Sequence, residues 1–263
     1  MNFDFSSEDR MIQEQVRRFL SEQSPLSRHR SVMEGQSPQA SEVWRGLADL
    51  GLQGTAIPEA YGGVGAGYLP LCLVAQELGG VLAAVPFSSS VYLATEAILC
   101  FGSTEQKERY LPKLAAGEWV GTLAVSEGPQ APSSTNLTVT RSGNTVSGKK
   151  LVVPHGLVAD FAIVLVASDA GTDLVLAGLE GVERSAVEIV DPTIAAATID
   201  FAQTHCESLG EPGDGWAMLE TVQHRAAVLY AFEQIGGAEQ ALNMAVAYAK
   251  ERFAFGRPIG SFQ

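Results

Sequence analysis

Apolar positions recur at three- and four-residue steps near both ends of the chain, and at two-residue steps between them. The first region reads as a set of short helices. Ser6 can cap the first, with Asp9 in the fourth place of a loose capping box, and Ile12, Val16, Phe19 and Leu20 line one face. A polar loop with Ser24, Pro25, Gly35 and Pro38 follows. Ser41 opens a helix through Val43, Trp44, Leu47 and Leu50 that ends at Gly51. Ile57 to Gly65 holds Pro58, Gly62, Gly63 and Gly65, a loop whose backbone can approach a neighbour closely. Further helices are predicted at about Leu69 to Leu78, before Gly79-Gly80, and at about Val91 to Phe101. Ser103 and Gln106 form a capping box for another, Glu105 to Leu114.

From Trp119 the period becomes two. Val120, Thr122, Ala124 and Ser126 alternate with Gly121, Leu123 and Val125. Leu137 to Thr140 and Thr145 to Ser147 flank a turn at Ser142-Gly143-Asn144. Short strands are predicted at Leu151 to Val153, Phe161 to Ala167, Asp173 to Ala177, Val187 to Val190 and Thr198 to Ala202. Such a series suggests a small β-barrel or sandwich. No Gly-x-Gly-x-x-Gly opens a helix after a strand, so a Rossmann domain is not indicated.

One long helical pattern runs from Gly215 to Arg252, through Leu219, Val222, Ala226, Leu229, Ile235, Leu242 and Val246. At 1.5 Å per residue it would exceed ~50 Å. Gly236-Gly237 marks a kink or a close helix crossing, and Gly256 and Pro258 stop the pattern. Such a stripe needs covering helices, supplied by a partner chain or by a longer polypeptide. The expected fold is therefore multi-domain, α and β: an N-terminal all-α domain over 1–118, a middle β-barrel domain over 119–210, and the start of a C-terminal helical bundle over 211–263.

Composition narrows the partners. The chain has 263 residues, 46% hydrophobic, with net charge −13. That acidity argues against nucleic acid and anionic lipid, while local cations and backbone amides can still hold phosphate. Cys72, Cys100 and Cys206 lack CxxC spacing and read as buried thiols. The four histidines are scattered, so no metal site is expected. With neither a signal-peptide pattern nor a transmembrane-length run, a cytoplasmic location is expected.

The tail Tyr248-Ala-Lys-Glu-Arg252-Phe-Ala-Phe255-Gly256-Arg-Pro-Ile-Gly260-Ser-Phe262-Gln263 resembles a signature of the acyl-CoA dehydrogenases. Gly102 to Glu118 and the Pro58-Glu-Ala-Tyr-Gly-Gly63 loop are similar to that family as well. The resemblance implies FAD held between the β-domain and the C-terminal helices. It also implies an acyl-CoA substrate, an electron-transfer flavoprotein or similar acceptor, and a homo-tetramer or hetero-oligomer. By the same resemblance, Val125 and Ser126 meet the flavin's pyrimidine edge, Ser126 standing where the family has a threonine. Val152 and Pro154 replace the family's flavin-shielding tryptophan and its hydroxyl near N5. Arg252 would meet the FAD pyrophosphate of a neighbouring subunit, with Phe255 near the adenine end and Gln263 hydrogen-bonding there.

The implied reaction is α,β-dehydrogenation of an acyl thioester, with hydride passing to flavin N5 and a carboxylate removing the α-proton. The position on the long helix that carries this base in some members falls at Ala226, or His224 after a small shift, and neither is a carboxylate. Glu220 and Glu233 read as solvated helix charges and His155 as a surface loop histidine, so no catalytic residue is assigned. Two other readings share the fold: a non-catalytic subunit completing a site on a partner chain, and a flavin monooxygenase.

Overall fold

The computed structural model describes residues 4–262. Helix α1 (Ser7–Gln23) starts at the predicted capping box: the Ser6 side chain accepts from the Asp9 amide and the Asp9 carboxylate accepts from Ser6. Its Arg17 makes a two-pronged contact with Glu77 of α4 (Tyr68–Gly80), Nε and Nη2 donating at 2.9 and 2.8 Å. Between them lie α2 (Leu26–Met33) and α3 (Ser41–Asp49), the latter ended by left-handed Gly51. Helix α2 corrects the loop expected there. Eight residues are too few to be stable alone, but His29 and Val32 turn inward and tertiary contact holds the turns.

The helix expected from Val91 is instead a π-helical segment, Ser88–Thr95, running into α5 (Glu96–Phe101). Helix α6 (Thr104–Ala115) starts at the Ser103–Gln106 capping box. Seven strands follow: β1 (Gly121–Ala124), β2 (Thr140–Ser142), β3 (Thr145–Val153), β4 (Phe161–Ser168), β5 (Gly171–Gly178), β6 (Glu183–Ala186) and β7 (Ala197–Leu209). Strands β4, β2, β3, β7 and β5 pair in that order and β5 returns to β4, closing a barrel. β1 adds to β4 in parallel, and β6 adds to β7. All four β1 residues are buried rather than alternating, because the π-helical segment covers their second face. β6 lies at Glu183–Ala186, before the expected Val187.

Helix α7 runs unbroken from Gly215 to Glu251. Gly236 does not break it and lets α4 cross closely. A Cβ added at Gly236 would sit 1.8 Å from the Gln76 carbonyl oxygen, and one at Gly79 1.9 Å from that of Glu233. Upstream, Leu219, Val222, Ala226 and Leu229 are buried; downstream, Leu242, Met244, Val246 and Tyr248 are exposed. A two-stranded hairpin, β8 (Phe253–Ala254) and β9 (Arg257–Pro258), follows, and then a 3-10 turn at Ile259–Ser261. No helix among the described residues is long and apolar enough to cross a membrane.

Candidate functional site

The loop after β1 and the end of β3 meet on the barrel surface. The Leu151 amide donates to the Ser126 carbonyl oxygen at 2.8 Å. Beneath this contact, the wholly buried Lys150 donates from Nζ to the Val125 carbonyl oxygen at 3.0 Å and to Glu127 Oε1 at 2.6 Å. Glu127 also accepts from Thr138 Oγ1 at 2.7 Å. Burial pushes the Glu127 carboxyl up, yet hydrogen bonds from Lys150 and Thr138 hold it below its ordinary value. Burial draws the Lys150 ammonium down, against the pull of Glu127. The pair lashes the Val125–Gly128 loop to β3.

Above that pair the β3–β7 register shifts between Lys150 and Val153. The shift turns Val152 outward, 44% exposed, with φ at +51°. A β-branched residue is costly in left-handed backbone, about 1–3 kcal/mol, and persists only where its surroundings enforce it. Pro154 is exposed beside it, and its carbonyl oxygen accepts from Thr122 Oγ1 at 2.6 Å. Val125 and Ser126 are half-buried, and Ser126 Oγ makes only a long 3.3 Å contact to the Gly128 carbonyl oxygen. Val125 and Ser126 thus lie on one segment and Val152 and Pro154 on a neighbouring one, joined by the Leu151–Ser126 and Lys150–Val125 hydrogen bonds, a surface termed the ledge.

Arg252 and Phe255 are elsewhere. Arg252 ends α7; its amide donates to the Tyr248 carbonyl oxygen at 2.8 Å and its side chain is exposed. Phe255 occupies the hairpin tip, left-handed at φ +50° and 96% exposed. Among the described residues no hydrogen bond, ion pair or ring contact joins either to the ledge. The expectation for Gln263 falls outside the described residues.

Three readings of the sequence need correction. His155 is no surface histidine: it is 3% exposed, its Nδ1 is 2.7 Å from Ser89 Oγ, and burial pushes it down to about 4 while Asp191 pulls weakly upward. Glu233 is half-buried rather than solvated, and burial raises its carboxyl. Cys100 is exposed, unlike Cys72 and Cys206. Glu220 does stand on the surface, accepting from Trp216 Nε1 at 2.9 Å. His224 is exposed and Ala226 buried, and neither is a carboxylate.

Other site features were missed. Buried Glu96 pairs with Arg225 of α7 and accepts from Cys100 Sγ at 3.2 Å. The Lys150–Glu127 pair had a signal, since two consecutive lysines on a barrel strand must send one inward. A groove of about 740 Å³ opens between α1, α4 and α7, but no ledge residue lines it.

Comparison with known proteins gives this geometry a context. The acyl-CoA dehydrogenase N-terminal domain profile matches residues 6–118, and the C-terminal domain profile matches residues 213–263. A solved steroid ACAD shares 31% identity over 97% of this chain and 70% of its own, at TM-score 0.86. This chain belongs to the acyl-CoA dehydrogenase family. Two further structures extend the picture. The ChsE4–ChsE5 complex of Mycobacterium tuberculosis is 27% identical over 100% of this chain and 72% of its own, at TM-score 0.87. A Bacillus anthracis acyl-CoA dehydrogenase complexed with FAD is 25% identical, at TM-score 0.88, over 98% of this chain and 47% of its own. The family fold accounts for the helices, the closed barrel and the long α7 in that order.

Proposed function

We propose that this chain is the FAD-holding part of an acyl-CoA dehydrogenase, with residues 1–118, 119–210 and 211–263 as its three units. The observation that carries the reading is the ledge. Val152 and Pro154 expose apolar surface, Val152 against its own backbone preference, beside a hydroxyl with only a long internal contact. A flat aromatic ring system with a polar edge fits such a surface. Val125 and Ser126 would meet the polar edge, and Val152 and Pro154 the ring face. Arg252, Phe255 and Gln263 would serve the nucleotide end of a neighbouring subunit's FAD, because within one chain the first two stand apart from the ledge. When bound, FAD supplies the acceptor for the two electrons leaving the acyl chain. The chain's own residues bind and orient; the α-proton needs a carboxylate that Ala226 does not provide. The substrate is an acyl-CoA and the electron acceptor a flavoprotein, in a cytoplasmic oligomer.

Ala226 favours one second reading, a subunit that completes a site whose base lies on a partner chain, as an assembly of the ChsE4–ChsE5 kind would allow. Anaerobic addition of acyl-CoAs to the FAD-loaded protein separates the two. Bleaching of the flavin by the protein alone supports the dehydrogenase; bleaching only after a second, base-bearing chain is added supports the subunit reading.

A further inference from the structure

The left-handed ledge needs something to hold it, and the interior beneath it shows what does. Val152 and His155 both have positive φ, +51° and +54°, and they flank Val153 and Pro154. Histidine is among the residues that tolerate this region, but a β-branched valine does not settle there unaided. Val153 is buried, and the chain after Pro154 makes one helical turn in which the Val158 and Ala159 amides donate to the His155 carbonyl oxygen at 3.0 and 3.1 Å. From outside, Arg184 Nη1 donates to the carbonyl oxygens of Gly156 and Ala159 at 3.1 and 2.9 Å. These contacts fix the turn's far side. On the ledge side there are two interior ties: Thr122 Oγ1 donates to the Pro154 carbonyl oxygen at 2.6 Å, and the His155 ring places Nδ1 2.7 Å from Ser89 Oγ.

Ser89 belongs to the π-helical segment, whose wider turn points residues where a regular helix would not. That segment is gripped independently. Ser90 Oγ accepts from the Gly121 amide at 3.2 Å, and the Tyr92 ring stands edge-on to Tyr230 of α7, centroids 5.4 Å apart. Ser89 is therefore anchored to both β1 and α7, and passes that anchorage to the ledge chiefly through its short hydrogen bond to the buried His155 ring, with a longer 3.4 Å contact to the Pro154 carbonyl oxygen beside it.

We infer that His155 is a positioning residue for the flavin ledge: its hydrogen bond to Ser89 locks Val152–Pro154 in the left-handed shape against the π-helical segment. This rests on the ledge being the flavin surface. Ser89 lies outside the ledge, so removing its hydroxyl reaches a bound flavin through His155 and through the longer 3.4 Å contact to the Pro154 carbonyl oxygen.

Two measurements test it, in wild type, Ser89→Ala, and His155→Asn. Asparagine tolerates left-handed backbone and keeps a hydrogen-bonding group. The first is amide hydrogen exchange, which needs no flavin. Ser89→Ala should raise exchange across residues 152–158 about tenfold, with exchange in α1 unchanged and His155→Asn nearer wild type. The second is FAD affinity, which Ser89→Ala should weaken about five- to tenfold. Wild-type exchange at 152–158 in Ser89→Ala overturns the inference. So does raised exchange with unaltered FAD affinity, which would make the bond merely structural. If the wild-type protein takes up no FAD, the flavin reading fails, and exchange alone then decides whether the bond locks the loop.

Discussion

At the scale of single residues, two buried ionisable groups set how the β-domain responds to change. Lys150 has no exposed side-chain surface and Glu127 little. Removing one partner of such a pair strands the other, at about 3–5 kcal/mol. Lys150→Met should therefore destabilise the protein by about that much in chemical denaturation, while Lys150→Met combined with Glu127→Gln should recover most of the loss. His155 makes a pH prediction. It is held neutral down to about 4, against an ordinary 6.5. Between those values the unfolded chain binds a proton that the folded chain refuses, so stability is complete above pH 6.5 and declines as pH falls to about 4. At ~1.4 kcal/mol per pH unit the loss reaches about 3 kcal/mol. Denaturation midpoints from pH 7 to 4 should show it, and His155→Asn should flatten that part of the profile. Strand parity required one of Lys149 and Lys150 to turn inward, whereas no local pattern marked His155. Lys150 sits inward because barrel parity overrides its charge, and His155 is hidden by a helical segment distant in sequence.

At the scale of elements, local signals read true where local chemistry decides. The Ser6–Asp9 and Ser103–Gln106 boxes fixed two helix starts because each is complete within four residues. Helix α2, the π-helical segment and the unalternating β1 could not be read, since packing partners far along the chain impose them. The α4–α7 crossing gives a paired prediction. In a helix, alanine gains about 1 kcal/mol over glycine. At Gly236 that gain loses to backbone atoms 1.8 Å from the new Cβ, which cannot move aside without spreading the helices. Gly236→Ala should cost at least 1–3 kcal/mol. At Gly237 the nearest atom is 3.6 Å away, so Gly237→Ala should be neutral or stabilising by up to ~1 kcal/mol. In thermal melts the Gly236→Ala midpoint should fall while that of Gly237→Ala holds or rises.

At the scale of the whole molecule, the long helix has two halves with different surroundings. Its first half packs on the barrel and on α4; its second carries Leu242, Met244, Val246 and Tyr248 in the open and ends at Arg252 and the Phe255 tip. An apolar helix end of this kind needs cover. The architecture was legible because the change of period, from helical steps to two and back, is a whole-chain signal. The proposed cofactor site reads from the sequence as two halves, and the resemblance already assigns the Arg252 half to a neighbouring subunit; within one chain Arg252 and Phe255 make no hydrogen bond, ion pair or ring contact with the ledge among the described residues. The most direct test is calorimetric titration of the purified protein and its Arg252→Ala variant with FAD. The account predicts a flavin complex whose dissociation constant rises at least tenfold in the variant, the loss of one charge-assisted phosphate contact worth about 1.5–3 kcal/mol. Equal affinity in the two proteins, or no binding by the unaltered one, would contradict it.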